Sequence, residues 1–231
     1  MSPRTDLSAL PPPKGPYGDR TNDVALQAVS VPSGWWRCAL DEEDLPPQLR
    51  GDAATTLLTR QEVWELAADA EDSAAGARRL LWAAVAWGAG HRLRLCLKRI
   101  EAVRRDRDGI GERLREAAAL AGRDPVRAYE LLHPPRRNLV RHLGPAFGTK
   151  FLYFAGGGLL EHPALILDSR VATSLVRHGW TSLGTAGGWP SATYARYLER
   201  VHAWSRELGG FPVVAADQIE KLLFERGARQ G

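Results

Sequence analysis

The chain has 231 residues, enough for one large domain or two small ones, and its formal net charge of +4 is compatible with a polyanionic partner without requiring one. Its two cysteines, Cys38 and Cys96, cannot supply a disulfide framework or the four ligands of an iron–sulfur cluster, so we expect reduced thiols in a cytoplasmic protein. The longest apolar run, 80–87, is too short to cross a bilayer, and the N-terminus lacks the pattern of a signal peptide, so we expect no membrane association.

Residues 1–55 are predicted to form an irregular N-terminal arm, and residues 56–231 a helical body. Eight prolines interrupt any helix in the arm, and its hydrophobic periodicity is weak. The adjacent Trp35 and Trp36 are expected to anchor this arm on the folded body.

The pattern becomes helical from about residue 59. Thr59 and Glu62 have the spacing of a capping box, which marks the start of a helix. Further helices are predicted at 78–87, 92–104, 110–121, 124–132, 136–142, 148–155, 169–177, 191–208 and 215–226, with a glycine-rich loop at 184–190. The helix at 78–87 is apolar on almost all sides and is therefore expected at the centre. Since no strand series or internal repeat is evident, the sequence predicts an all-α protein.

Basic residues concentrate in two clusters. The clusters are Arg92, Arg94, Lys98, Arg99, Arg104, Arg105 and Arg107, and then Arg136, Arg137 and Arg141. Both could be solvated helix faces. The second cluster directly precedes a glycine-containing turn, and this position favours contact with phosphate groups.

The run LGPAFGTK at 143–150 predicts a tight turn between the helices at 136–142 and 148–155. Glycine lets a ligand approach the backbone closely, and the free amides that begin a helix attract an anion. Such a hairpin can hold a phosphate without reading sequence, although an ordinary helix–helix turn has the same pattern.

Two ionisable residues accompany this hairpin. Lys150 is placed in the first turn of the second helix, where a cation is disfavoured, and partial burial would favour a neutral, nucleophilic amine. Asp168 follows an apolar run and precedes a helix, so its simplest role is an N-cap. Taken separately, each residue also has an ordinary structural interpretation.

Together, the turn, Lys150 and Asp168 resemble the helix-hairpin-helix DNA glycosylases of base-excision repair. Members with a catalytic lysine, the 8-oxoguanine and endonuclease III types, resemble residues 136–177 most closely. The resemblance implies an all-α, helix-hairpin-helix glycosylase-type fold without an evident β domain, with the hairpin at about 136–157. The sequence departs from the family at Ala146, where a glycine is usual, and it lacks the cluster cysteines of the endonuclease III relatives.

The resemblance also implies roles for individual residues. Lys150 would attack the sugar C1′ atom and form a Schiff base, and Asp168 would stabilise the developing oxocarbenium charge. The residues expected to bind the DNA backbone are Gly144, Ala146, Gly148, Thr149 and Arg170.

The pocket for the flipped base is less defined by the sequence. Trp87, Asp217 and Phe224 are the candidates, and Phe224 is favoured because the last helix of 8-oxoguanine glycosylases carries a pocket phenylalanine in a similar Leu-Phe context. Trp180 and Trp189 are further aromatic candidates for stacking, although each aromatic could equally belong to the core. Asp217, Gln218 and Glu220 could read a base edge.

These features predict a DNA glycosylase with AP lyase activity that excises a damaged or modified base, with an 8-oxoguanine-like purine favoured. It would act as a monomer on damaged double-stranded DNA, without a metal or another cofactor, in the cytoplasm and at the nucleoid when bound to DNA. The alternative is a non-catalytic helix-hairpin-helix DNA-binding protein. The excised base, a repair or a defence role, and the function of residues 1–55 remain open at this point.

Overall fold

The computed structural model describes residues 7–209 and 213–228, which form an all-α fold with one small sheet. Its α-helices are α1 (Ser33–Ala39), α2 (Arg60–Trp64), α3 (Ala67–Asp72), α4 (Ala74–Ala89), α5 (Cys96–Arg104), α6 (Arg107–Ala121), α7 (Pro125–Leu132), α8 (Pro145–Phe154), α9 (Ser169–His178), α10 (Ser191–Leu208) and α11 (Ala216–Ala228). Within these two ranges, no helix combines the length and the apolarity of a membrane span.

Helix α4 lies at the centre of the fold, as its apolar sequence predicts. Its residues from Leu80 to Ala86 are all fully buried, and the helix packs against α3, α6 and α8. Ser73 caps its N-terminus by accepting a hydrogen bond from the amide of Gly76 at 3.0 Å. This rigid helix supports α8, the helix that carries Lys150.

The N-terminal arm contains more regular structure than the sequence predicts. A π-helix covers Arg20–Ala25, and strand β1 (Ala28–Val31) pairs antiparallel with β2 (Thr56–Thr59). Four-residue strands are too short to show a clear alternation of apolar and polar residues, which explains why the sequence pattern missed them. The two strands of this sheet lie on opposite sides of the predicted boundary at residue 55, so the division into an arm and a body stays a proposal.

Side chains fasten this arm to the body. Trp36 is fully buried beside Trp82, which confirms the expected anchor. Leu10, near the start of the arm, is also held, because its carbonyl accepts from the indole N–H of Trp204 in α10 at 2.8 Å. The predicted arm also includes residues 1–6, which lie outside the described residues.

Most predicted helices are confirmed within a few residues of their ends, and the capping box of Thr59 and Glu62 is present. Residues 92–95 form a turn instead of the first part of α5, because Leu95 has a φ of 67° and cannot continue a helix. The helix predicted at 148–155 begins earlier, at Pro145, since proline fits the first helical position.

The helix predicted at 136–142 is wrong, because this segment consists of turns. His142 has a φ of 67°, a left-handed value that a helix cannot accommodate. The amide of Leu139 donates to the carbonyl of Leu132 at 2.9 Å and closes a wide loop in place of helical bonds. The hairpin before α8 therefore has a helix on one side only.

Candidate active site

Helix α8 carries Lys150 on its buried face. Because α8 begins at Pro145, Lys150 lies in the second helical turn, not in the first turn that the sequence predicts. Its Nζ atom lies 2.9 Å from Oδ2 of Asp168 and 3.4 Å from the carbonyl oxygen of Ala146. Lys150 is 5% exposed and Asp168 is 8% exposed, so the two residues form a largely buried ion pair.

The two carboxylate oxygens of Asp168 accept hydrogen bonds from different groups. Oδ1 caps α9 by accepting from the amides of Arg170 and Val171 at 3.0 and 3.1 Å, while Oδ2 accepts from Lys150. Burial acts to raise the pKa of this carboxyl, but the Lys150 ammonium and the two amides outweigh burial and hold the pKa of Asp168 below its ordinary value. The carboxylate is therefore ionised and fixed in orientation at neutral pH.

Thr149 connects α8 to the segment that leads to Asp168. Its hydroxyl donates to the carbonyl of Leu167 and accepts from the amide of the same residue, both at 3.1 Å. Two buried tyrosines hold the carbonyls just upstream, Tyr194 that of Leu165 and Tyr197 that of Ile166. These bonds fix the distance between Lys150 and Asp168, which are 18 positions apart in the sequence.

The structure separates the five residues expected to bind DNA. Thr149 is fully buried and its hydroxyl is occupied, and the Gly148 amide donates to the carbonyl of Gly144. The amides of Gly144 and Ala146 have no backbone acceptor in the described part of the chain, so they are the two that could hold a phosphate. Arg170 lies apart from them, beside Asp168.

Lys150 and Asp168 open into a pocket of about 320 Å³. Trp87 and Phe224, two of the three residues proposed from the sequence for a base pocket, line it together with Arg170, Arg92 and Gln27. The guanidinium of Arg170 lies 4.8 Å from the ring centroid of Phe224, a cation–π distance. The pocket thus combines an amine, a carboxylate, aromatic surface and positive charge at its mouth.

The polar residues of α11 that could read a base edge are occupied elsewhere. Asp217 forms an ion pair with Arg20 at 2.9 Å and accepts from the hydroxyl of Tyr153, and it does not line the pocket. Gln218 is bonded to the backbone at Ala215 and Gly18. Asp217 therefore holds the N-terminal arm to α11 through Arg20. The sequence could not indicate this pair, because the two residues are 197 positions apart.

A larger cleft of about 770 Å³ is lined by residues that include Pro145, His133 and Trp189. Its volume exceeds that of the Lys150 pocket, but neither Lys150 nor Asp168 reaches it. Trp180 is buried in the core. Neither Trp180 nor Trp189 lines the pocket that contains Lys150 and Asp168.

Gln27 is a pocket residue that the sequence interpretation missed. It lies in the proline-rich N-terminal arm between the π-helix and β1, where no periodicity or motif singles it out. Its side-chain oxygen accepts from Nε of Arg60 at 2.9 Å. Only the fold, which brings this arm beside α4, shows that it borders the pocket.

Comparison with protein families finds one model that matches residues 22–224, the family described as "Putative 8-oxoguanine DNA glycosylase OGG-like protein". Comparisons with curated proteins and with solved structures give no match. The matched range includes α1 to α10, both members of the ion pair and every pocket residue named above. The chain therefore belongs to this 8-oxoguanine DNA glycosylase-like family.

Proposed function

We propose that the protein is a DNA N-glycosylase with associated AP lyase activity, which removes an oxidised purine such as 8-oxoguanine from double-stranded DNA. The observation that carries this proposal is the buried pair of Lys150 and Asp168, 2.9 Å apart, at the wall of an open pocket that Trp87 and Phe224 line. A base must leave the duplex to reach such a pocket, and aromatic surface suits an extruded base.

Lys150 supplies the nucleophile in this proposal. The Lys150 ammonium first gives a proton to the leaving base, and the lone pair of the resulting amine then attacks C1′ of the deoxyribose. The bond between C1′ and the base breaks, and its electron pair leaves with the base. Opening of the sugar ring then gives the Schiff base between Nζ and C1′.

Asp168 supplies negative charge beside the reacting carbon. Its lowered pKa keeps it ionised, so it can stabilise the positive charge that develops on the sugar as the base departs. The cap bonds from Arg170 and Val171 hold the carboxylate in place during this step. Loss of a proton from C2′ of the Schiff base, with departure of the 3′ phosphate, then cleaves the strand.

The DNA backbone would be held at two places. The free amides of Gly144 and Ala146 can bind one phosphate, and Arg170 and Arg92 at the pocket mouth can bind others. Because α8 lacks a helix on the other side of the hairpin, this grip would be smaller than in a regular helix-hairpin-helix.

Borohydride trapping tests the proposal, since the reagent delivers hydride to the imine carbon and makes the enzyme–DNA bond permanent. Duplexes that each carry one modified base should give an adduct with wild-type protein and none with Lys150→Ala. Lys14→Ala, which removes an exposed lysine of the N-terminal segment, is the matched control and should still give the adduct.

The competing function is a non-catalytic DNA-binding protein. It would be supported by salt-sensitive duplex binding that Asp168→Asn leaves unchanged, with no base release from any duplex. The absence of an adduct on every modified duplex, or an undiminished adduct with Lys150→Ala, would reject the lysine mechanism.

A further inference from the structure

Behind the pocket, a buried arginine is held in one orientation. Arg60 is fully buried, and its guanidinium carbon lies 5.1 Å from the ring centroids of both Trp87 and Tyr153. Its Nη1 atom donates to Oε2 of Glu220 at 2.9 Å, and Glu220 is fully buried as well. A planar guanidinium that contacts two rings and a carboxylate cannot rotate freely.

The Nε–H group of Arg60 is directed at Gln27. It donates to Oε1 of Gln27 at 2.9 Å, and the backbone amide of Arg60 donates to the carbonyl of Gln27 at 3.2 Å. The indole N–H of Trp87 donates to that same carbonyl at 3.3 Å. Gln27 is thus fixed through both its main chain and its side chain.

These contacts decide which end of the Gln27 carboxamide faces Arg60. A guanidinium nitrogen only donates, so the carboxamide atom beside it has to be the oxygen. The NH₂ group is then left for the pocket that Gln27 lines. In residues 7–209 and 213–228, this NH₂ group has no hydrogen-bond acceptor, although it carries two donors.

We propose that Arg60 is a positioning residue for base recognition: it occupies the carboxamide oxygen of Gln27, so that the pocket receives only hydrogen-bond donors from this side chain and selects bases with a carbonyl oxygen at the facing edge. An exocyclic amino group at that edge would oppose donor to donor and leave both groups unsatisfied. This inference rests on the proposed function, because it takes the occupant to be a base.

The purines differ at the relevant edges. Guanine has a carbonyl oxygen at C6, 8-oxoguanine has a second carbonyl at C8, and adenine has an amino group at C6 and no carbonyl. We expect the protein to bind free 8-oxoguanine at least about 5-fold more tightly than adenine, because a donor that faces another donor loses its hydrogen bond.

Two variants test the role of Arg60 through base preference, which a purely structural residue would not alter. In Gln27→Glu, one carboxylate oxygen can still accept from Arg60, but the other presents an acceptor to the pocket. The double variant Arg60→Met/Glu220→Leu removes the buried ion pair together, so that neither charge is left buried alone. Gln61→Glu, at an exposed position next to Arg60, is the matched control.

Isothermal titration of each protein with free 8-oxoguanine, guanine and adenine measures this preference. Gln27→Glu should lose the preference for 8-oxoguanine over adenine, and the double variant should reduce it below about 3-fold, because the amide can then rotate. Gln61→Glu should keep the wild-type ratio. Equal binding of the three bases by the wild type, or an unchanged ratio in Gln27→Glu, would overturn the proposal even if the double variant does not fold.

Base binding needs neither DNA nor the chemistry of Lys150, so the two proposals fail separately. Base preference that depends on Gln27, without a trapped adduct on any duplex, would reject the lysine mechanism and support the recognition role. A trapped Lys150 adduct from a protein that binds all three free bases equally would support the lysine mechanism and reject the recognition role.

Discussion

Asp168→Asn should separate the two contacts that the Asp168 carboxylate makes. Asparagine has nearly the same shape and caps helices as well as aspartate, so the bonds from the amides of Arg170 and Val171 should persist. The counterion of Lys150, which is only 5% exposed, would be lost. We expect the free energy of unfolding to fall by ~3–4.6 kcal/mol at pH 7.

Two arguments bound this magnitude. Removal of one partner from a buried ion pair costs ~3–5 kcal/mol. A free lysine side chain has a pKa of about 10.4, so its deprotonation at pH 7 costs ~4.6 kcal/mol. A buried amine without a counterion can avoid a larger penalty by losing its proton, so this cost is the upper limit of the destabilisation. Since the unfolded chain would hold this proton and the folded variant would not, the deficit should shrink as pH rises, to a limit of ~1.9 kcal/mol at pH 9.

Urea unfolding at pH 7, 8 and 9, followed by tryptophan fluorescence, measures this deficit. The double variant Asp168→Asn/Lys150→Met removes both charges and should recover at least ~2 kcal/mol relative to the single variant. A deficit below ~1 kcal/mol that stays constant with pH would refute the reasoning, as would a double variant no more stable than Asp168→Asn.

Three further predictions concern the same region. Gly88→Ala should slow adduct trapping by ~10–100-fold, because the new Cβ would lie 2.7 Å from Cδ of Lys150 and displace it, and calorimetry should show a Tm no higher than that of the wild type, since strain on the pair with Asp168 offsets the helix preference of alanine; an unchanged trapping rate would contradict the geometry. Gly148→Ala should lower the free energy of unfolding in urea by ~1–3 kcal/mol, because its Cβ would lie 2.0 Å from Nε2 of His133, and equal stability would show that this ring can move aside. Because folding lowers the pKa of Asp168, the ionised carboxylate stabilises the fold fully above about pH 4, and this stabilisation is lost as the pH falls further. The free energies of unfolding of wild type and Asp168→Asn, measured in urea from pH 5 to pH 2, should therefore converge, and a constant difference between them would contradict this.

Long amphipathic helices were the most predictable part of the fold. Helix α10 has the predicted bounds, Ser191–Leu208, because five apolar or aromatic residues recur on one face and their burial outweighs local preferences. The segment 136–142 was mispredicted for the opposite reason. It has no long apolar stripe whose burial could outweigh local preferences, and the left-handed backbone of His142 is incompatible with a helix.

The candidate site was predictable only in part. Lys150 and Asp168 could be paired through their resemblance to a family, but the buried contact between them depends on Thr149 and on two tyrosines of α10. The orientation of Gln27 in the pocket depends on Arg60, which bonds to Gln27 33 positions away and to Glu220 160 positions away. Such long-range pairs leave no periodic signal in a single sequence.

The position of Gly88 against Lys150 has an entropic consequence. The lysine methylenes lie where a side chain at residue 88 would be, the ring of Phe147 flanks them, and Asp168 holds the amine at the end. Fixing a lysine side chain costs ~1.5–2 kcal/mol of rotamer freedom. Here that loss occurs when the chain folds and is offset by the stability of the whole domain, so ordering of this side chain adds nothing to the barrier when the amine meets a sugar carbon.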